Sequence, residues 1–344
     1  MRLLITGGAG FIGSCMVRES IAQGHTVLNI DSLTYAACLD NVSSVSNSKQ
    51  YSFKKIDIRD YKELKKEIDS YQPDAIINLA AESHVDRSID SASKVLQTNI
   101  MGTFNLLDIF TKYWIQKNAS KTYKFIHIST DEVFGEALDS EMFTESTRYD
   151  PKNPYSASKA ASDHLVRSWH NSHGTPTIIT NCSNNYGPFQ FPEKLIPLTI
   201  NAIRNSNPIP IYGNGKQIRD WIYVDDHING VLNVLEKGTI GDSYNIGSNN
   251  ELKNIDLVEM ICSNLDKKLN NTIPSKNLIE FVKDRPGHDR RYAIDSSKIR
   301  TELGWTPSFD IETGLDKTID WYLSNETWLD NLSEKAILRN RFSS

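Results

Sequence analysis

The sequence predicts a doubly wound α/β fold, and three observations carry that prediction. Short apolar or β-branched runs recur through the first half, at residues 3–6, 26–30, 75–79, 125–129 and 177–180. Helical stretches, such as 12–23 and 61–70, separate them. A glycine-rich turn joins the first run to the first helical stretch. Runs that are apolar on both faces suit a parallel sheet covered by helices. Strand–helix alternation gives the order of a doubly wound sheet.

The elements follow in chain order. Run 3–6 feeds the turn Gly7-Gly8-Ala9-Gly10-Phe11-Ile12-Gly13, a G-x-x-G-x-x-G pattern that opens the first helix. Glycines let the backbone approach a pyrophosphate, and the helix N-terminus offers unpaired N–H groups with partial positive charge. Gly7, Gly10, Phe11, Ile12 and Gly13 are therefore candidate dinucleotide contacts, and the sheet is read as Rossmann-type. Run 26–30 ends at Asp31, about 20 residues after the loop, where a carboxylate accepts from ribose hydroxyls and repels a 2′-phosphate. NAD is favoured over NADP, with Ser32, Leu33 and Thr34 beside it. Asp57 and Ile58 end another strand-like stretch and are candidates for the adenine edge. After run 75–79, the small residues of Leu79-Ala80-Ala81-Glu82-Ser83 allow close approach of backbone to cofactor. His84, Asp86 and Arg87 come next; one His beside one Asp is poor metal ligation, so no metal site is expected.

Run 125–129 leads into Thr130-Asp131-Glu132. Ligands bind at the carboxyl ends of parallel strands. Thr130 can hydrogen-bond a reacting oxygen. Two adjacent carboxyls cannot both ionise freely, so one can serve as acid and the other as base. Tyr155 and Lys159 are spaced to lie one turn apart on a helix starting near Pro154. A nearby ammonium would lower the tyrosine pKa, so that tyrosinate could take a hydroxyl proton as hydride leaves. Lys159 could also hold the nicotinamide ribose. This is more machinery than alcohol oxidation needs, and it points to oxidation coupled to loss of water.

Length and charge bound the rest. A chain of 344 residues suggests about two domains. From residue 181 Pro and Gly become frequent. Residues 1–180 are read as the NAD-binding domain, with returning segments at about 221–250 and 305–325. Residues 181–220 and 251–304, with the C-terminal tail, form a smaller, interleaved α/β substrate domain. The net charge of −5, with no basic cluster, argues against a nucleic-acid partner. No apolar run approaches a membrane span. Met1 leads directly into a strand-like run, so no signal peptide is expected. Cys15, Cys38, Cys182 and Cys262 lie far apart without metal-ligand spacing, which suits thiols in a reduced cytoplasm.

These motifs identify the chain as resembling the extended short-chain dehydrogenase/reductase family, and within it the enzymes that dehydrate nucleotide-linked sugars. The resemblance covers about residues 1–322. It includes Asp31-Ser32-Leu33-Thr34-Tyr35, Ala81-Glu82-Ser83-His84-Val85-Asp86-Arg87-Ser88, Ser129-Thr130-Asp131-Glu132-Val133-Phe134-Gly135, Asn184-Asn185-Tyr186-Gly187-Pro188, Phe191-Pro192-Glu193-Lys194-Leu195-Ile196-Pro197, Arg219-Asp220-Trp221 and the segment from Asp284 to Tyr292. It implies that Tyr155 takes the 4-hydroxyl proton of a dTDP-linked glucose as hydride passes to NAD. Glu132 then removes the C5 proton, acidified by the new ketone, while Asp131 protonates the departing 6-hydroxyl. Hydride returns to C6. The resemblance further implies cofactor contacts from Thr98 and Asn184. It implies substrate contacts from Ser83, His84, Asn184, Glu193, Lys194 and Leu195, a base wall at Pro210, Ile211 and Tyr212, and diphosphate contacts from Arg219 and Arg285. Asn254 and His288 complete the set.

Two departures stand out. Ala36-Ala37-Cys38-Leu39 replaces a stretch that usually carries a Gly-Asn pair, and Phe134 stands where Tyr is usual. The acid pair and the segment from Arg285 to Asp289 argue against a sugar-nucleotide epimerase or decarboxylase. The presence of both Tyr155 and Lys159 argues against a dinucleotide-sensing scaffold. Dehydratases of UDP- or GDP-linked sugars share most of the set and remain an alternative, because one methyl in a pocket is worth only about 1–3 kcal/mol. The resemblance implies a homodimer paired through the helical stretches 91–117 and 156–173.

Overall fold

Leu3, Leu4 and Ile5 are all fully buried in β1 (Arg2–Thr6). Neither face of that strand reaches water, which explains why its sequence does not alternate. The computed structural model describes residues 1–120 and 122–340. After β1 come α1 (Phe11–Ala22), β2 (Thr26–Asp31), β3 (Tyr51–Lys55), α2 (Tyr61–Tyr71), β4 (Ala75–Asn78), α3 (Val85–Asp90), α4 (Ala92–Leu96), α5 (Thr103–Gln116), β5 (Lys124–Thr130), α6 (Pro154–His173) and β6 (Thr177–Cys182). The second half contributes β7 (Asn184–Tyr186), α7 (Leu195–Arg204), β8 (Ile209–Tyr212), β9 (Ile218–Tyr223), α8 (Val224–Lys237), β10 (Ser243–Ile246), β11 (Glu251–Lys253), α9 (Asn254–Leu269), β12 (Ile279–Val282), α10 (Ser297–Leu303), α11 (Ile311–Ser324) and α12 (Glu326–Asn340).

Seven strands pair in parallel in the order β10-β6-β5-β4-β1-β2-β3. Strand order reverses between β1 and β4, so the carboxyl ends of these two strands frame a crevice. Thr6 aligns with Ile30 on one side and Asn78 on the other. The loops after these strands therefore leave the sheet at one level. The strand expected to end at Asp57 and Ile58 is β3, which stops at Lys55. Its burial is partial because it is the edge strand.

The large sheet's core takes in Ile222, Val231, Val234 and Leu235, then Ile246, Ile299, Leu303 and Trp305. A second core gathers Ile196, Ile200 and Ile203 of α7, Leu257 and Ile261 of α9, and Leu315, Ile319 and Tyr322 of α11. Thus α8 and β10 pack with the large sheet. β9 instead pairs in a separate sheet ordered β11-β9-β7. Within residues 305–325, Trp305 lies in the first core and α11 in the second.

Local sequence explains the helix that matters most for the site. Asn153 caps α6, its Oδ1 accepting from Ser156 N at 2.9 Å, and Ser156 Oγ accepts from Asn153 N at 3.2 Å. Pro154 occupies the first turn. Such a reciprocal box with Pro at the start fixes where the helix begins, and hence which face carries Tyr155 and Lys159.

Candidate active site

A cleft of ≈ 320 Å³ runs along the carboxyl ends of the large sheet. At one end lies the glycine turn. Gly7 has φ +75°, and a Cβ there would meet Ala80 N at 2.8 Å; at Gly13 it would meet Gly7 O at 2.1 Å. Only glycine permits this packing of loop, helix and neighbouring strand. Helix α1 has no side-chain cap, which leaves its first N–H groups for a ligand. Asp31 accepts from Ala9 N at 3.0 Å and Leu33 N at 2.7 Å, while burial pushes its pKa up. Asp57, Ile58, Ala80, Ala81 and Thr98 line the same cleft. Thr98 sits in a π-helical turn, Gln97–Gly102, that follows α4. Arg59 pairs with Asp57, and Lys94 lines the wall nearby. This cradle, with its open helix terminus and its carboxylate at the end of β2, fits a dinucleotide.

At the other end, β5 delivers Thr130, Asp131 and Glu132. Thr130 Oγ1 contacts Asp131 Oδ1 at 3.2 Å. Asp131 Oδ2 and Glu132 Oε2 are buried without a hydrogen-bond partner. Burial, then the charge of Glu132, raises the Asp131 pKa well above the carboxylate range. Burial also raises Glu132, opposed by the Arg285, Arg219 and Lys194 charges. Both carboxyls are raised, but Arg219 alone opposes the rise by charge at Asp131, whereas Arg285, Arg219 and Lys194 oppose it at Glu132. Such a pair can give one proton and take another.

Tyr155 and Lys159 line the cleft beside this pair. The expectation that Lys159 lowers the Tyr155 pKa is not met. Burial, followed by the charges of Glu132, Cys182 and Asp131, pushes Tyr155 up. The Lys159 Nζ is engaged elsewhere: it donates to Ile128 O at 2.7 Å and lies 3.4 Å from His127 Nε2.

The sugar-nucleotide residues divide. Asn184, Glu193, Lys194 and Ser83 line the cleft, and Asn184 Oδ1 is buried without a partner. Glu193 accepts from Tyr35 Oη at 2.8 Å and Arg87 at 3.2 Å. His84 lies 3.5 Å from Glu193 but stays neutral, because burial and the Lys194 charge lower its pKa to about 3. Leu195 starts α7 and packs on the second core. Tyr212 donates to Asp86 Oδ2 at 3.1 Å and meets His288 edge-on, with Arg285 3.8 Å from Asp86. Asn254 opens α9, its backbone donating to Gln217 O.

Two placements differ from expectation. Ile211 faces the second core and cannot present its side chain as a wall. The period of two in β8 leaves Pro210 and Tyr212 outward and Ile209 and Ile211 inward. Arg219 is buried and donates to the carbonyls of Ile218, Asp289 and Arg290. A guanidinium taken from water needs such acceptors. Its field still reaches the acid pair. Arg285, whose Nε is buried without a partner, is the more available donor. Sequence reasoning missed Cys182, Ser183, Gln190 and Phe191 on the cleft wall, and the buried His127 and Asp163 beneath it. A His inside the apolar run 125–129 was the available signal.

An all-parallel doubly wound sheet, a glycine cradle, and a Tyr–Lys pair facing one cleft define a dinucleotide-dependent enzyme of the extended short-chain dehydrogenase/reductase class. Residues 4–318 match the family described as GDP-mannose 4,6 dehydratase. The chain belongs to this family of nucleotide-sugar 4,6-dehydratases. It is 50% identical to a dTDP-glucose 4,6-dehydratase of Salmonella typhimurium, over 98% of this chain and 96% of the relative. It is also 50% identical to one of Neisseria meningitidis serogroup B, over 96% of each. The fold matches DesIV, a dTDP-glucose 4,6-dehydratase of Streptomyces venezuelae solved with NAD, with TM-score 0.90, 41% identity and 96% and 100% coverage of the two chains. A UDP-glucose 4-epimerase of Thermotoga maritima also matches, with TM-score 0.84, 26% identity and 94% and 99% coverage. The fold is thus shared across reactions, and the side chains of the site must separate them.

Proposed function

We propose that the protein dehydrates dTDP-glucose to dTDP-4-keto-6-deoxyglucose, a step of deoxysugar biosynthesis, with NAD held in the cleft. The observation that carries this reading is the buried acid pair Asp131 and Glu132, each with an unpartnered oxygen, in the same cleft as Tyr155. Neither epimerisation nor simple oxidation needs it. The 50% identity to dTDP-glucose 4,6-dehydratases supports the same reaction and the thymidine-linked sugar.

The roles follow from chemistry. The glycine turn, Asp31, Thr98 and Lys159 would hold NAD, which would supply the hydride acceptor for C4 and the hydride donor for C6. Thr130 would hydrogen-bond the C4 oxygen, and Tyr155 would take the hydroxyl proton as its tyrosinate, a form that burial disfavours and that the positive charge of bound NAD would favour. The resulting ketone acidifies the C5 proton, which Glu132 removes. Asp131, kept protonated by burial, donates to the 6-hydroxyl, so the leaving group departs as water. Glu132 then returns its proton to C5. Asn184, Glu193 and Lys194 hold the sugar side, and Arg285 the diphosphate, where a guanidinium binds two oxygens.

The two cores are read as an NAD-binding unit and a sugar-nucleotide unit. We also propose a homodimer, paired through α4–α6, where Leu96 and Met101 are exposed, and a cytoplasmic location, where both nucleotides are available.

The test is incubation of purified protein with dTDP-glucose, UDP-glucose and GDP-mannose in separate reactions, followed by mass spectrometry. Loss of one water from the dTDP sugar alone is expected. Loss from another sugar alone would keep the mechanism and reassign the base. No loss from any of them, with NAD still bound, would defeat the acid/base assignment.

A further inference from the structure

Beneath Lys159 lies a chain of buried polar groups that the reaction does not touch. His127 on β5 and Asp163 on α6 are both fully shielded from solvent. His127 Nε2 lies 3.3 Å from Asp163 Oδ1 and 3.4 Å from Lys159 Nζ. Its other nitrogen, Nδ1, lies 3.2 Å from Asn78 Nδ2. The Asn78 amide is itself oriented, since its Oδ1 accepts from Thr6 Oγ1 at 2.8 Å and its Nδ2 donates to Thr103 Oγ1 at 3.2 Å. Asn78 Nδ2 is therefore a donor and His127 Nδ1 an acceptor. The proton of a neutral His127 then sits on Nε2, facing Asp163. Asp163 Oδ2 accepts from Ser129 Oγ at 2.8 Å and Tyr149 Oη at 3.0 Å, and Asn181 Nδ2 lies at 3.5 Å. Donors therefore converge on Oδ2, while Oδ1 faces His127 without a hydrogen bond. Such donors favour the ionised carboxylate, and a buried ammonium needs a counter-charge.

We propose that Asp163 and His127 are positioning residues for Lys159: Asp163 supplies the buried negative charge that keeps Lys159 an ammonium, and neutral His127 spaces the two. Around Lys159 the titratable groups are His127 on β5, Asp163 on α6 and Cys182 on β6, with Tyr155, Asp131 and Glu132 along the cleft. Of these, Asp163 is the group whose carboxylate oxygen accepts from two hydroxyls, Ser129 and Tyr149, which favours its charged form. The directions agree. Burial lowers Lys159 and the Asp163 charge opposes it, whereas burial and the Lys159 charge lower His127 to about 4. The inference rests on the role proposed for Lys159 in the C4 oxidation.

The test is the pH profile of C4 oxidation, followed as NADH absorbance in a single turnover of the holoenzyme with dTDP-glucose. Asp163→Asn keeps the shape and removes the charge. Its alkaline limb should move to lower pH by about one unit or more, because Lys159 loses its proton earlier. KM should remain within about twofold, since Asp163 is fully buried and does not line the cleft. A Ser129→Ala, Tyr149→Phe double variant weakens the donor set and should shift the same limb less, in the same direction; it carries the test if Asp163→Asn fails to fold. A lowered Tm with the limb unmoved in these variants would overturn the proposal and leave Asp163 a structural group. Lys159→Ala separates the underlying reading: if it leaves C4 oxidation intact, the role of Lys159 itself fails.

Discussion

At the scale of single residues, the site stores an electrostatic cost. Asp131 is buried with one oxygen unpartnered, and its folded pKa lies well above the ordinary 3.8. The protonated form thus favours folding. That contribution is complete below about pH 3.8 and is lost as pH rises through the folded value. Asp131→Asn should therefore raise Tm at pH 7, with the gain shrinking as the pH falls toward 4; a Tm lowered at pH 7 would contradict this. Asp131→Asn combined with Glu132→Gln should slow water loss by about 100- to 10,000-fold while C4 oxidation persists, so that NADH absorbance builds up in a single turnover. Because burial raises Glu132 above its ordinary 4.5, the acidic limb of the elimination step should lie above that value, where the base protonates. Stopped-flow profiles across that range check it. The acid pair and Tyr–Lys pair were legible because their chemistry lies in residue type and spacing. The unlowered Tyr155 pKa was not, since it depends on where Lys159 points.

Elements set the geometry that residues exploit. The start of α6 is fixed by Asn153 and Pro154, so Asn153→Ala should cost about 1 kcal/mol and loosen Tyr155 and Lys159 together. A fall in Tm with a fall in kcat tests this, and an unchanged kcat would separate the cap from the catalytic face. At the glycine turn, Gly13→Ala places a methyl 2.1 Å from Gly7 O. Overpacking of this kind costs about 1–3 kcal/mol, and NAD should be lost on gel filtration. Gly10→Ala, whose Cβ meets only Gly7 O at 3.3 Å, should fold and retain more cofactor. Strands buried on both faces were readable as apolar runs. The half-buried edge strand β3 lacks that run, which is why its end was placed too late. The inward turn of Ile211 follows from the register of β8 beside β12, and strand pairing of distant segments is not written in either one.

At the scale of the molecule, distant segments close the site. Tyr322 Oη donates to Gln190 O at 2.7 Å, and Trp328 Nε1 to Asn41 Oδ1 at 3.0 Å, tying the C-terminal helices to the cleft wall and to the first half of the chain. Asp226 accepts from the Ser308 and Phe309 backbone at 2.9 and 3.0 Å. Truncation after residue 324 should therefore expose Phe189 and Trp321, whose rings meet at a tilt with centroids 4.4 Å apart and both touch Trp328. The expected readout is increased tryptophan quenching by acrylamide. The proposed dimer predicts twice the chain mass by light scattering, and Leu96→Glu with Met101→Glu should halve it. A single-chain mass for the native protein would remove the dimer reading.

The doubly wound class, the glycine turn and the candidate catalytic residues could be read from the chain because each rests on local periodicity or on residues close in sequence. Apolar runs, a glycine spacing and a one-turn Tyr–Lys separation survive without knowledge of what packs against them. Packing was needed to direct Arg219 onto backbone carbonyls and Ile211 into a core. It also brought His127 and Asp163 beneath Lys159 and set different charges around the two carboxyls of the acid pair. Each of these depends on burial and on the field of groups far away in sequence, and neither exists until the segments are folded together.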